Sequence, residues 1–301
     1  MWAALEGFAT IGIVIAVGYL LARFSAVDRG AQKALGDVAF VIGQPAVVLV
    51  AVSGADLDLL VGPHVAVFGA ACVVSGVGFA VVSWRRWASG RAEGAMGYLA
   101  TSYVNAGNLG IPVSAFVLGD PAWAAPAILL QVLLLQPSAV AVLESSPVGR
   151  GRSVVRSFGT HPLVLGGLTG LALNLTGWQP PPVLWGPTTL LADLGIPAML
   201  LAFGMSLHAS PLPRHLSARS VAAIATKTVV VPAVALLIGL AAGVSGASLR
   251  AAVVLAALPT AQVVFVHAIR YGVGLQLVQA TTLWSTALSV PIIVAVGALL
   301  G

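Results

Sequence analysis

Charge is what this chain has least of. Only 8% of its 301 residues are Asp, Glu, Lys or Arg, whereas a soluble domain carries about 25%, so a water-facing globular fold is excluded. A single cysteine, Cys72, excludes an internal disulfide and leaves the redox compartment undetermined. There is no Gly-x-x-x-x-Gly-Lys-Ser/Thr loop, since Lys227-Thr228 lacks the preceding glycine; ATP would have to be used by a partner subunit. His-Glu-x-x-His is also missing, and His64, His161, His208 and His215 show no metal-ligand spacing. No metal and no cofactor are therefore expected. An intramembrane hydrolase or transferase would need such a motif or two facing aspartates, and no serine is marked out to partner Lys227, so the chain does not read as an enzyme. The N-terminal Met1-Trp-Ala-Ala-Leu-Glu6 lacks the positive segment of a cleaved leader, and the first apolar run is expected to stay as a span.

What is present is apolar: 59% of the residues are hydrophobic and the mean hydropathy is +1.02. A spanning helix needs roughly 20 apolar residues. Ten windows fit, at about 5–22, 34–53, 64–84, 94–118, 123–143, 160–177, 188–208, 218–241, 248–269 and 275–299. The basic residues then orient them. Arg23, Arg29 and Lys33 follow span 1; Arg85, Arg86 and Arg91 follow span 3; Arg150, Arg152 and Arg156 follow span 5; Arg214 and Arg219 follow span 7; Arg270 follows span 9. These are twelve of the fourteen Lys and Arg residues, all on one side, which the positive-inside rule makes cytoplasmic. Asp56, Asp58 and Asp120 fall on the other. Both termini are then outside, and a bacterial inner membrane is the expected location. The pI near 10.0 is a topology signal, and no nucleic-acid partner is expected. The tryptophans and Tyr19 lie near span ends, as an aromatic belt requires.

Five spans, a basic loop and five more spans suggest a duplication: 1–143 as the first half, 144–159 as a short cytoplasmic loop, and 160–301 as the second half. Span 2 reads Gln44-Pro45-Ala and span 7 reads Ile196-Pro197-Ala, each followed by a similar apolar run. Span 4 carries Asn105-Ala-Gly107-Asn108-Leu-Gly110-Ile-Pro112, and span 9 carries Pro259-Thr260-Ala261-Gln262 in the corresponding place. An odd number of spans per half inverts the second against the first. Inverted repeats with interrupted helices in matching positions mark secondary transporters, with the site at the repeat interface. The expected fold is therefore an all-α integral membrane protein of ten transmembrane helices in an inverted 5+5 repeat.

The span 4 cluster is a helix breaker at bilayer depth. Each Gly costs a helix interior about 1 kcal/mol and Pro about 3 kcal/mol, and Pro112 deprives the Asn108 carbonyl of its usual donor. Broken backbone in a membrane persists only where protein or a water-filled cavity satisfies it. The breaks in spans 4 and 9 would create half-helices, whose N-termini suit a carboxylate. The freed carbonyls, expected at Asn108 and Leu255, would face a cation or water. Asn105, Asn108 and Gln262 add amides and Thr260 a hydroxyl, giving a polar pocket without a fixed charge. Small residues that merely let helices pack closely are the competing reading.

Asn105-x-Gly-Asn108-x-Gly-x-Pro112, together with Leu258-Pro259-Thr260-Ala-Gln262-x-x-Phe-Val-x-Ala-x-Arg270-Tyr271-Gly272, resembles the auxin efflux carrier family, whose bacterial members include proteins described as malonate and malate permeases. The resemblance covers the whole chain. It implies a fold related to the bile-acid sodium symporters, with a scaffold and a transport bundle in which broken fourth and ninth helices cross. It also implies a substrate site at Asn105, Gly107, Asn108, Gly110, Pro112, Pro259, Thr260 and Gln262. Gln262 departs from the family, where Asn is common, and the long central loop of the plant hormone carriers is absent.

Lys227 is the one basic residue well inside a predicted span, and intramembrane charges are expensive. It either neutralises an anionic substrate, pairs with an acid (Asp37 being the nearest match in depth, Asp193 the other) or snorkels to the cytoplasmic face. A Lys227–Asp37 pair would offer a route to proton coupling. His267, near the end of span 9, either titrates near neutrality or simply sits at a helix end. Pro45, Pro197 and Pro232 are read as kinks or hinges. Asn174-Leu-Thr176 matches a glycosylation acceptor but lies too close to the membrane. The leading function is a permease for a small organic anion, a mono- or dicarboxylate, working by alternating access, with a coupling proton or sodium ion left open and a homodimer allowed. An intramembrane enzyme and a sensor or channel on the same scaffold are the alternatives.

Overall fold

The structure is a computed structural model that describes residues 2–24, 29–56, 61–149, 162–209 and 216–300. Within these residues the chain is helical, apart from one isolated β-bridge. We number the helices in order: α1 (Trp2–Arg23), α2 (29–53), α3 (Pro63–Trp87), α4 (Arg91–Ser102), α5 (106–118), α6 (121–144), α7 (Pro162–Thr176), α8 (Pro182–Ala209), α9 (218–241), α10 (Gly246–Ala257), α11 (Gln262–Tyr271) and α12 (Leu275–Leu300). Among the described residues six stretches are long and apolar enough to cross a membrane unaided: Ala34–Ser53, Pro63–Trp87, Ala122–Glu144, Pro182–Ala202, Ala218–Ala241 and Leu275–Leu300. The remaining predicted windows fall on shorter apolar helices or on the interrupted pairs α4–α5 and α10–α11. Most of the expected basic loop, from residue 150 on, lies outside the described residues.

Large apolar side chains point outward along these helices; Val74, Val77, Val81 and Trp84 on α3 are all exposed. A face of that kind is untenable in water and ordinary against lipid. Inside, small residues bring backbones together. Gly43 of α2 meets Gly195 of α8 so closely that a Cβ on Gly195 would stand 2.7 Å from the Gly43 carbonyl oxygen. Gly18 and Gly204 press in the same way on opposing backbone between α1 and α8, and Gly166 and Gly170 of α7 on that of α2. Helices α1, α2, α7 and α8 thus form one packed group. Helices α3, α4, α6, α9, α10 and α12 pack around the largest core, which buries Phe68, Met96, Leu99, Leu135, Leu143 and Leu255 and also takes in Val48 and Val52 of α2, Val164 of α7 and Leu200 of α8.

Among the described residues four helices widen into π-turns, five in all: Ala39–Gly43, Ala106–Gly110, Ser114–Leu118, Gln131–Leu135 and Thr226–Val230. Ser114–Leu118 closes α5 at Gly119; the other four each end two residues before a proline: Pro45, Pro112, Pro137 and Pro232. Proline lacks an N–H and crowds the carbonyl four residues earlier; a wider turn removes the clash without ending the helix. π-Turns also re-aim side chains and cluster at functional sites. Here they carry or adjoin Gln44, Asn108, Gln131 and Lys227.

Candidate functional site

Helix α4 stops at Ser102 and α10 at Ala257, and the extended segments that follow run antiparallel to each other. Asn105 N–H donates to the Pro259 carbonyl (2.7 Å) and Ala261 N–H to the Tyr103 carbonyl (3.1 Å), around a bridge between Val104 and Thr260. The outward N–H groups of the two bridging residues are met by side chains. Val104 N–H donates to Gln131 Oε1, and Thr260 N–H to Ser285 Oγ at 3.0 Å. This answers the demand that interrupted backbone at bilayer depth be satisfied by protein. The arrangement is locally two-fold, as a residue pair in an antiparallel ladder is. At the helix ends the match breaks. Thr260 Oγ1 donates to the Ala100 carbonyl at 2.6 Å, whereas the equivalent Ala256 carbonyl accepts from Lys227 Nζ at 2.9 Å.

The span 4 break is not where the glycines and proline suggested. It falls at Tyr103–Asn105, and Gly107, Asn108, Gly110 and Pro112 lie inside α5. Asn105 caps that helix, its Oδ1 accepting the Asn108 N–H at 3.2 Å, and the π-turn absorbs Pro112. The glycines serve close approach: a Cβ on Gly107 would sit 2.8 Å from Gln44 Oε1, and one on Gly110 would sit 3.1 Å from Leu258. Leu255, expected to present a free carbonyl, accepts the Leu258 N–H at 3.2 Å. Pro259 does lie in the second break.

The N-termini of α5 and α11 converge on a cavity of about 40 Å³, lined on its polar side by Gln44, Asn105, Asn108, Gln131 and Gln262 with Tyr103. That holds about one water molecule, whose share of liquid volume is about 30 Å³. Of the predicted site residues, Asn105, Gly107, Asn108 and Gln262 reach the cavity. Gly110, Pro259 and Thr260 do not line it, and the Thr260 hydroxyl is committed to Ala100; the Pro112 side chain lies outside the described residues. The two helix ends differ. Asn105 caps α5, but Ala261, at the N-cap of α11, has no side chain able to do so, and Gln262 and Val263 of that first turn line the cavity. The positive end of α11 therefore faces it.

Sequence reasoning missed Gln44, Gln131 and Tyr103 as site residues. Gln44 Nε2 donates to Asn108 Oδ1, and both side chains are only 6% exposed. This bond joins the group containing α2 to the group containing the crossing, in the wall of the cavity. Tyr103 is held by its hydroxyl, which donates to Gln136 Oε1 at 3.2 Å. The available signal was a glutamine directly before a proline in an apolar run, at Gln44-Pro45 and at Gln136-Pro137.

Lys227 is fully buried, so it does not snorkel, and it forms no ion pair with Asp37, which is exposed on α2. His267 is buried on α11 with its ring stacked on Tyr271 (6.5 Å between centroids), outside the cavity lining. Pro45 and Pro232 follow π-turns. Pro197 lies within the uninterrupted α8 and is exposed. Among the described residues no group of three His, Cys, Asp or Glu is placed to hold a metal ion.

Comparison with known proteins bears on this geometry. A protein of Rhizobium meliloti (strain 1021) described as "Putative malonate transporter" is 32% identical over 212 residues, which is 66% of this chain. The chain spans 65% of the length of that relative. A family model described as "Membrane transport protein" matches residues 3–296, nearly the whole chain. The chain is a multi-pass integral membrane protein and belongs to this membrane transport family, that of the auxin efflux carriers.

Proposed function

We propose that the protein is a secondary carrier for a small organic anion, a mono- or dicarboxylate, bound at the helix crossing. In this reading the ten helical passages, counting α4–α5 and α10–α11 as one each, form two inverted halves, 1–143 and 160–301, with both termini outside an inner membrane. The observation that carries it is the uncapped N-terminus of α11 facing a cavity lined, among the described residues, by amides and by no fixed charge. A carboxylate oxygen takes the place of the missing cap and accepts from the N–H groups of Gln262 and Val263. Asn108, with Oδ1 turned to Gln44, keeps its Nδ2 protons for the same anion. The paired outward bonds of Val104 and Thr260, each to the helix that follows its own half-helices, support the inverted relation. A site with no lysine or arginine among the described residues of its wall is poorly matched to a phosphate ester.

The cavity is too small for a dicarboxylate, so the geometry corresponds to a closed state. Opening separates the Gln44 side from the Asn108 side. That is alternating access with α1, α2, α7 and α8 as scaffold and the crossing carried by the other group. The relative's description makes malonate the first substrate to try. Uptake of labelled carboxylates into proteoliposomes, with sodium and pH gradients imposed separately, tests the reading. Saturable uptake of at least one carboxylate supports it. Ion currents without saturable carboxylate uptake overturn it.

A further inference from the structure

Lys227 is buried deep in the apolar interior, and among the described residues no carboxylate pairs with it. Its Nζ lies on the Ala256 carbonyl, in the last turn of α10, where the helix is cut off. A helix C-terminus carries roughly half a negative charge, and in carriers built on broken helices such ends commonly coordinate the coupling cation. The first half offers a comparison. There the equivalent carbonyl, that of Ala100, is satisfied by the neutral Thr260 hydroxyl from across the two-fold pair. Across the same pair Ala256 faces the position of Val104, whose side chain has no donor. A neutral hydroxyl would therefore suffice for hydrogen bonding, yet this position holds a lysine amine, carried on a π-turn of α9 (Thr226–Val230), and its Nζ reaches the helix end.

We propose that Lys227 is a built-in cation: its ammonium occupies the place of a coupling metal ion at the end of α10, so that the carrier binds its anion without sodium. The proposal rests on the carrier reading above and adds the ion requirement. Lys227 does not line the cavity; it acts as a positioning residue, holding the α10 end and adding positive potential behind the uncapped α11. Removing the ammonium while leaving room and an oxygen ligand opens the site to a monovalent cation.

The test uses the purified full chain and two variants, Lys227→Met and Lys227→Ser, in proteoliposomes with sodium or choline outside and labelled malonate as the probe. Wild-type uptake is expected to differ by less than about twofold between the media. Lys227→Met, of similar length but uncharged, loses uptake by about tenfold or more in both. Lys227→Ser is inactive in choline and regains uptake in sodium. In detergent, sodium raises the melting temperature of Lys227→Ser by about 2–4 °C and leaves the wild type unchanged. Sodium-dependent wild-type uptake overturns the proposal, as does full activity of folded Lys227→Met. So does a folded Lys227→Ser that sodium neither activates nor stabilises. If Lys227→Ser does not fold, wild type and Lys227→Met decide. A wild type that takes up no carboxylate overturns the carrier reading instead, and the sodium effect on melting then tests the cation site alone.

Discussion

Asn108→Ala removes two interactions of opposite consequence, and pairing it with Gln44→Ala separates them. In the structure Asn108 Oδ1 accepts from Gln44 Nε2, a neutral bond contributing about 0.5–1.5 kcal/mol that must break for the proposed cavity to open. In the proposed bound state Asn108 Nδ2 donates to a carboxylate, a charge-assisted bond contributing about 1.5–3 kcal/mol. Gln44→Ala deletes only the first. Apparent affinity scales with the fraction of carrier that is open, so its KM should fall by about 2–13-fold. Asn108→Ala deletes both, and its net loss in kcat/KM lies between nothing and about 70-fold. The ratio of kcat/KM between the two variants isolates the substrate bond, at about 12–160-fold in favour of Gln44→Ala. Initial rates of labelled malonate uptake across a concentration series measure it, after gel filtration shows both variants folded. A ratio near one refutes Asn108 as a ligand. A raised KM in Gln44→Ala refutes the latch and makes Gln44 a substrate contact.

Two further predictions concern the frame around the site. Thr260→Val strands the Ala100 carbonyl in a fully buried place; the penalty of about 1–3 kcal/mol should lower the melting temperature by about 3–10 °C. Thr260→Ser, which keeps the hydroxyl, should stay within about 2 °C of wild type. Gly195→Leu forces a side chain into the Gly43 backbone, where neither partner can yield; overpacking of about 1–3 kcal/mol or more should reduce melting temperature and folded yield. Gly12→Ala, with nothing within 4 Å of the added Cβ, is the control and should be neutral.

Composition alone made the helical membrane fold legible, because 8% charge leaves a chain few other options, and six of the expected windows fall on long apolar helices. The span 4 break was misplaced for a physical reason. Glycine and proline density was read as helix disruption, but Gly107 and Gly110 make room for Gln44 and Leu258, and a π-turn accommodates Pro112. The true break is at Tyr103–Asn105, which has an ordinary composition and is set by pairing with residues more than 150 positions away. Gln44 and Gln131 were missed on similar grounds. Their partners, Asn108 and the Val104 N–H, are tertiary: the Gln44-Pro45 step marks a polar residue in an apolar run without saying what it meets, and Gln131 has no such mark. Lys227 stands out in the sequence as a basic residue inside a span, for which an acidic partner was the natural guess; a cut-off helix end as its acceptor becomes visible only with the crossing in place.

The two-fold pairing at the crossing can itself be tested. Val104 and Thr260 are opposite each other without exchanging hydrogen bonds, so their side chains lie on the same face of the pair. If Thr260 reaches Ala100 across the axis, a threonine at 104 should reach Ala256 in the same way. A carbonyl has two lone pairs, so Val104→Thr is compatible with Lys227 and should change stability little. In the Lys227→Met background the Ala256 carbonyl loses its donor, at a penalty of about 1–3 kcal/mol. Val104→Thr should then recover half or more of the lost melting temperature. It restores no charge, so uptake in choline should remain as low as in Lys227→Met alone. Recovery of stability without transport separates capping from electrostatics at this helix end. Recovery of both would make Lys227 a cap and nothing more, and recovery of neither would refute the two-fold equivalence of Ala100 and Ala256.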